Sequence, residues 1–204
     1  MPLLRKLQHL LDATRVADFL APLLIRLYLV PVFWLAGTNK LDGLGPSADT
    51  VAWFGNPEWG LGLPMPWLMA LLAAWTEVLG AVALLLGAAV RWFALPLMVV
   101  MAVAAFVVHW DNGWQAVADP TLCFVGCADA EDARQRLSVA RGILREHGDY
   151  AWLTGQGSIV VSNNGIEWAA TYFLMLLSLF FTGGGRWLSV DDHARRWLMR
   201  SDSN

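Results

Sequence analysis

The sequence predicts an all-α integral membrane protein. The expected architecture is a four-transmembrane-helix bundle, with amphipathic interfacial helices at both termini and a helical extracytoplasmic loop between helices three and four. Three observations point there. The stretch from Pro66 to Val90 runs for 25 residues with Glu77 as its only ionisable group, and about 20 apolar residues suffice to cross a bilayer. The chain of 204 residues is 57% hydrophobic and only 15% charged, too apolar for an ordinary soluble domain. It also carries 12 Trp, a residue enriched at membrane–water interfaces. The net charge of −3 leaves no basic footprint, so nucleic acid is not an expected partner. No internal repeat or low-complexity segment is visible, and residues 1–204 read as a single membrane domain. No cleavable signal peptide is expected, because the first apolar run carries an arginine and no small-x-small site closes it.

The elements follow in order. Residues 1–18 place Leu3, Leu4, Leu7, Leu10 and Leu11 on one side and Arg5, Lys6, His9 and Asp12 largely on the other, the pattern of a helix lying in the membrane surface. The first span is expected at about 19–37. Residues 41–65 form a Gly/Pro/Trp-rich loop whose Trp53, Phe54 and Trp59 suit the interface. The second span covers 66–90, and a short turn at Arg91 and Trp92 leads to a third span at 93–108. The outer loop runs over about 110–164, with a soluble helix from Asp129 to His147 that buries Ala133, Leu137, Ala140 and Leu144. Asp129 is the expected cap and Gly148 the expected stop. The fourth span covers 168–182. In the tail, Trp187, Val190, Ala194, Trp197 and Leu198 share one stripe, a second interfacial helix.

Four spans put both ends on one side of the bilayer. Eight Lys and Arg flank the spans on that side, against Lys40 on the other, where the four arginines of the long loop stand well away. The positive-inside rule then makes both termini cytoplasmic. In a bacterial inner membrane the long loop is periplasmic.

An acidic residue at mid-membrane costs about 2.5–3.5 kcal/mol on insertion scales, so Glu77 needs a reason to be there. Ala70, Ala73, Ala74, Gly80, Ala81, Gly87 and Ala88 lie on its side of the helix. Small residues mark the face where membrane helices approach, so Glu77 is expected to face the bundle interior. At 1.5 Å per residue it lies about 16 Å from the outer edge and about 20 Å from the inner one, with Arg26 about 10 Å from the inner edge. Arg26, Glu77 and His109 are the candidate catalytic residues of an outward-opening polar path. Lys40 and Glu167 at its mouth are the candidate substrate-binding residues, or else boundary anchors. A buried Arg26–Glu77 pair fixing helix register is the structural alternative, although it requires the boundaries to shift by a turn. His109 reads either as a loop-bonded interfacial residue or as a proton-handling group or ligand. Cys123 and Cys127 lie in the outer loop. They read as a structural disulfide, as a redox-active pair, or, with or without His109, as a soft-metal site such as Cu(I).

The order Arg26, Gly37, Lys40, then WTEVLGAVALLLG followed by Arg91, then Ala104 to His109, NGIEWA and GGGRWLSVD resembles the DoxX family. These are four-helix bacterial membrane proteins related to the small subunit of a thiosulfate:quinone oxidoreductase. The resemblance covers residues 20–191 and rests on Arg26, Gly37, Lys40, Glu77, Gly80, Gly87, Arg91, His109, Glu167 and Arg186. The outer loop with its cysteine pair is longer than in minimal members. The resemblance implies links to membrane redox complexes, to oxidative and thiol stress, and, in some longer relatives, to copper-responsive gene clusters. Two functions follow as expectations. One is a membrane redox subunit joining a periplasmic thiol or sulfur compound to the quinone pool. The other is a non-catalytic membrane partner or copper-handling protein whose loop docks a protein or binds metal. Quinone and copper are the candidate cofactors. The lipid bilayer, a periplasmic or membrane redox protein and a second copy of the chain are the candidate partners. No flavin, haem or iron–sulfur motif appears, so electrons would pass through the cysteines or a partner.

Overall fold

The computed structural model describes residues 2–118 and 127–201. The chain divides into two compact units, Met1–Val100 with Phe173–Asn204, and Met101–Tyr172. Its helices, in order, are α1 (Pro2–Ala13), α2 (Leu20–Thr38), α3 (Ala48–Gly55), α4 (Pro66–Leu86), α5 (Val90–Val103), α6 (Cys127–His147), α7 (Tyr150–Leu153), α8 (Glu167–Thr182) and α9 (Val190–Ser201). Among the described residues, three helical stretches are long and apolar enough to cross a membrane: Leu20–Thr38, Pro66–Leu86 and Val90–Val108. The 16 residues of α8 are apolar but fall short of that length.

In the first unit α2 packs along α4. The two run antiparallel, since Arg26 near the start of α2 meets Leu84, whereas Gly37 near its end meets Ala74 and Val78. A Cβ on Gly37 would lie 2.7 Å from Val78 Cγ2 and 2.9 Å from the Ala74 carbonyl oxygen. Only glycine permits that approach, the small-residue contact by which membrane helices associate. Leu29, Phe33, Ala70, Ala74, Leu84, Leu97, Leu176 and Leu179 are fully buried. Leu72, Leu79, Leu85 and Leu86 on the far side of α4 are about half exposed, as a lipid-facing surface requires.

Several boundaries differ from the sequence expectation. Helix α4 stops at Leu86 rather than Val90. Gly87 adopts φ 65°, Gly87 N–H donates to Leu84 O and Ala88 N–H to Ala83 O, the double bond of a Schellman ending. Helix α5 begins at Val90, so Arg91 and Trp92 belong to its first turn and not to the connection. The Asp191 carboxylate accepts from Ala89 N–H (2.6 Å) and Val90 N–H (3.0 Å). This anionic cap comes from far along the chain and fixes the start. The loop at 41–65 is ordered: Leu41–Asp42 pairs antiparallel with Gly45–Pro46, and Ser47 Oγ caps α3 by accepting from Thr50 N–H. Phe54 of α3 is buried, and Trp75 Nε1 of α4 donates to Leu44 O.

In the second unit, α5 continues into a wide turn, Ala104–Val108, closed by His109 N–H to Ala104 O at 3.0 Å. Such i to i+5 turns re-aim the residue that follows, and they recur at functional sites. Helix α6 starts at Cys127, two residues ahead of the Asp129 cap expected. Ala133 is buried and Leu137, Ala140 and Leu144 are half-buried, which is the inward side the sequence indicates. Arg141 Nη2 donates to Ile159 O, and Arg145 lies 4.9 Å over the Tyr150 ring.

Candidate functional site

Helix α2 ends at Thr38, and the chain turns at once into the two-stranded hairpin: Lys40 N–H bonds Gly37 O, and Lys40 O accepts from Ser47 N–H. Lys40 is therefore fixed between a helix end and a hairpin, directly beside the Gly37 contact with α4. From there its side chain folds back along α2. Nζ donates to Ala36 O at 3.0 Å and to Glu77 Oε2 at 2.6 Å. The Glu77 side chain is 3% exposed and that of Lys40 25%. A carboxylate so enclosed inside a membrane-length helix requires a cation. Lys40 provides it while keeping part of its stem toward the surface. Two of the three ammonium donors are engaged, which leaves one for a ligand.

Arg26 does not pair with Glu77. Its guanidinium, 1% exposed, donates from Nε to Leu84 O (2.7 Å), from Nη2 to Leu85 O (3.1 Å), and from Nη1 to Gly184 O (2.6 Å) and Leu188 O (3.0 Å). It thus caps the C-terminal carbonyls of α4, where helix ends leave acceptors unmet and favour a cation. The same fork ties on the turn after α8. A Cβ on Gly87 would sit 2.7 Å from the guanidinium, so this glycine serves both the left-handed helix ending and the arginine. The arginine's partner Leu84 stands seven residues beyond Glu77 on α4, about 10 Å along the helix axis, so the two charges sit at different levels. Arg26 is a structural staple.

That staple belongs to a wider knot in the first unit. Arg186 Nη2 bonds Asp18 at 2.6 Å, Arg91 Nε donates to Phe180 O at 2.8 Å, and Ser189 Oγ donates to Gly87 O at 3.0 Å. Asp192 is buried. It accepts from Trp187 N–H at 3.0 Å and from Arg196, and it lies 3.6 Å from Arg195. The Trp187 N–H, followed by Arg196, holds its carboxyl below the usual aspartate range. A carboxyl acidified by folding contributes stability that is present above its unfolded pKa and lost as pH falls through the folded value. Melting of the detergent-solubilised protein is therefore expected to drop on acidification below the ordinary aspartate range. Asp192→Asn should remove that component and flatten the curve. An unchanged acid limb in the variant would reject Asp192 as its source.

In the second unit His109 Nδ1 pairs with Asn164 O at 2.9 Å, and Glu167 Oε2 accepts from Ala116 N–H at 2.9 Å. Asn163 Nδ2 donates to Asn112 O and Gln115 O. His109 and Glu167 thus both help to join residues 109–117 to 162–167. This is the loop-bonded reading of His109. Cys123 lies outside the described residues, as does the side chain of Cys127. Among the described residues, no three of His, Cys, Asp and Glu gather as metal ligands.

Residues 21–110 match the family model described as DoxX. This segment is a DoxX domain. The match includes Arg26, Gly37, Lys40, Glu77, Gly80, Gly87, Arg91 and His109; Glu167, Arg186 and both cysteines lie beyond it. No curated protein and no solved structure matches the chain. The DoxX match over this segment and the three membrane-length helices found among the described residues point to a multi-pass membrane protein in contact with the bilayer. The Lys40–Glu77 pair lies within the DoxX segment, and the sequence reading missed the pair as such. Its one available signal was the small residue Gly37, three places before Lys40, opposite the alanines that flank Glu77.

Proposed function

We propose that this DoxX-type protein is an inner-membrane subunit of a redox system linking a periplasmic thiol or sulfur compound to the quinone pool, with Lys40–Glu77 as its proton-handling site. The supporting observation is the enclosed carboxylate whose cation keeps one donor uncommitted and part of its stem exposed. In this reading α8 is the fourth span. Its 16 residues reach about 24 Å and require tilt-free crossing with local thinning. Both termini are cytoplasmic, and the open leucine face of α1 rests in the interface.

The chemistry balances simply. Two thiols that join as a disulfide release two electrons and two protons, and a quinone that takes up both becomes the quinol. A bound quinone would supply the two-electron acceptor; Lys40, with its remaining N–H, would hold its carbonyl, Glu77 would relay the proton, and electrons would come from Cys123 and Cys127 or from a partner protein. Membranes carrying Glu77→Gln are expected to reduce a soluble quinone analogue with a dithiol about 100-fold more slowly than wild type, the usual contribution of a positioned acid–base group. Equal rates would remove the redox reading.

One observation favours the second reading, a non-catalytic or copper-handling partner. Val139 and Ile143 of α6 are 64% and 55% exposed, and with Asp132, Gln135, Arg136 and Ala140 they line a cavity of about 550 Å³. A periplasmic protein would dock there, with copper held by Cys123 and Cys127. Thiol-dependent copper that disappears in Cys123→Ser, with no quinone activity, would select this reading.

A further inference from the structure

A cavity of about 350 Å³ lies in the first unit, between the start of α5, the turn after α8 and the first turns of α9. Three arginines line it: Arg91, Arg186 and Arg195. Arg91 uses only Nε, on Phe180 O, while its guanidinium rests 5.5 Å from the Phe180 ring. Arg186 uses Nε and Nη2, on Asp18 and Arg15 O. Both Nη groups of Arg91 and Nη1 of Arg186 therefore take no acceptor among the described residues. The same holds for the backbone N–H groups of Gly184, Gly185 and Arg186. The acids on the wall are already committed. Asp191 holds Ala89 and Val90 N–H, and Asp192 holds Trp187 N–H and Arg196. Counting Arg91, Arg186, Arg195 and Arg196 against Asp18, Asp191 and Asp192 leaves one positive charge.

We propose that this cavity binds the phosphodiester of an anionic phospholipid headgroup. One surplus charge with fixed guanidinium donors suits a single phosphodiester, which arginine recognises through paired N–H groups. The lipid source is favoured by what flanks the cavity. Trp92 and Phe181 are 78% and 71% exposed, at the first turn of one membrane-length helix and the end of the apolar α8. Aromatic side chains at such ends mark the headgroup level. Acyl chains would then lie along the apolar faces of α5 and α8, with the phosphate between Arg91 and Arg195. Basic pockets of this kind at helix ends hold acidic headgroups in other membrane proteins.

The test is native mass spectrometry of the full chain, purified in detergent and offered equal amounts of phosphatidylglycerol and phosphatidylcholine. Phosphatidylglycerol should be retained selectively and should raise the melting temperature. Arg195→Gln should weaken retention about fivefold, the factor for one arginine at an anionic surface. This variant spares the fold, since the Arg195 side chain is 68% exposed and Asp192 keeps Arg196 and Trp187 N–H. Arg91→Gln is the second probe and should act in the same direction. Equal retention of phosphatidylcholine overturns the proposal. So does an unchanged preference in both variants. Displacement of the lipid by millimolar inorganic phosphate would also overturn it, and would make the cavity a site for a soluble phosphate.

Discussion

Arg26→Leu is expected to remove most of the folded protein from membranes, although leucine is the apolar residue that a membrane helix ordinarily prefers. The substitution leaves the carbonyl oxygens of Leu84, Leu85, Gly184 and Leu188 without their guanidinium donor. Among the described residues, Leu84 O alone of the four retains another partner, Gly87 N–H at 3.3 Å. Each buried group left unmet costs about 1–3 kcal/mol, against a total stability of about 5–15 kcal/mol for a typical domain. The loss therefore approaches the whole margin. Arg26→Lys should recover a minor part, because an ammonium has three donors and no planar fork with which to span two backbone segments. Gly87→Ala should reproduce the defect with the arginine still present. Its Cβ would enter the guanidinium at 2.7 Å on a backbone at φ 65°. Fluorescence-detected size-exclusion of detergent extracts reads the folded fraction. A monodisperse Arg26→Leu protein with the wild-type melting temperature would show that the four carbonyls find other donors, and the staple assignment would fall.

The two intramembrane charges show what a sequence makes legible and what it does not. Apolar run length placed all three membrane-length helices, because crossing a bilayer is a local requirement written in consecutive residues. The inward side of α4 was legible for the same reason: small residues recur at helical spacing around Glu77. Partners were not legible. An Arg26–Glu77 pair was the structural alternative and the spacing already argued against it, and the cation near Glu77 comes from beyond the end of α2. Its long side chain covers the distance by folding back toward Ala36. The anion beside the α4–α5 connection, Asp191, comes from the far end of the chain. That is why the α4–α5 boundary was misplaced by several residues. The small hairpin and α3 escaped notice because elements of two and eight residues carry too few periodic positions to register. Ser47, a good N-cap, was the one local cue. The wide turn before His109 had no sequence cue at all.

Lys40→Met is expected to be harsher than Glu77→Gln, and this order tests whether the pair is the site. Removing Lys40 strands a carboxylate that is 3% exposed and that takes Lys40 as its only cation among the described residues. Breaking a buried pair in this way costs about 3–5 kcal/mol. Removing the Glu77 charge instead strands an ammonium whose side chain is 25% exposed. A lysine so placed can extend its stem and carry the charge to the surface, so the cost should be nearer about 1 kcal/mol. The double variant Lys40→Met/Glu77→Gln carries no stranded charge and should melt well above Lys40→Met alone, which gives a coupling of opposite sign to the sum of the singles. A reversed order would mean that Glu77 leans on something other than Lys40. Activity separates structure from chemistry in the same three proteins. If the pair only fixes helix register, the double variant regains quinone-analogue turnover together with stability. If it handles the proton, the double variant is stable and stays inactive, because neither methionine nor glutamine exchanges a proton.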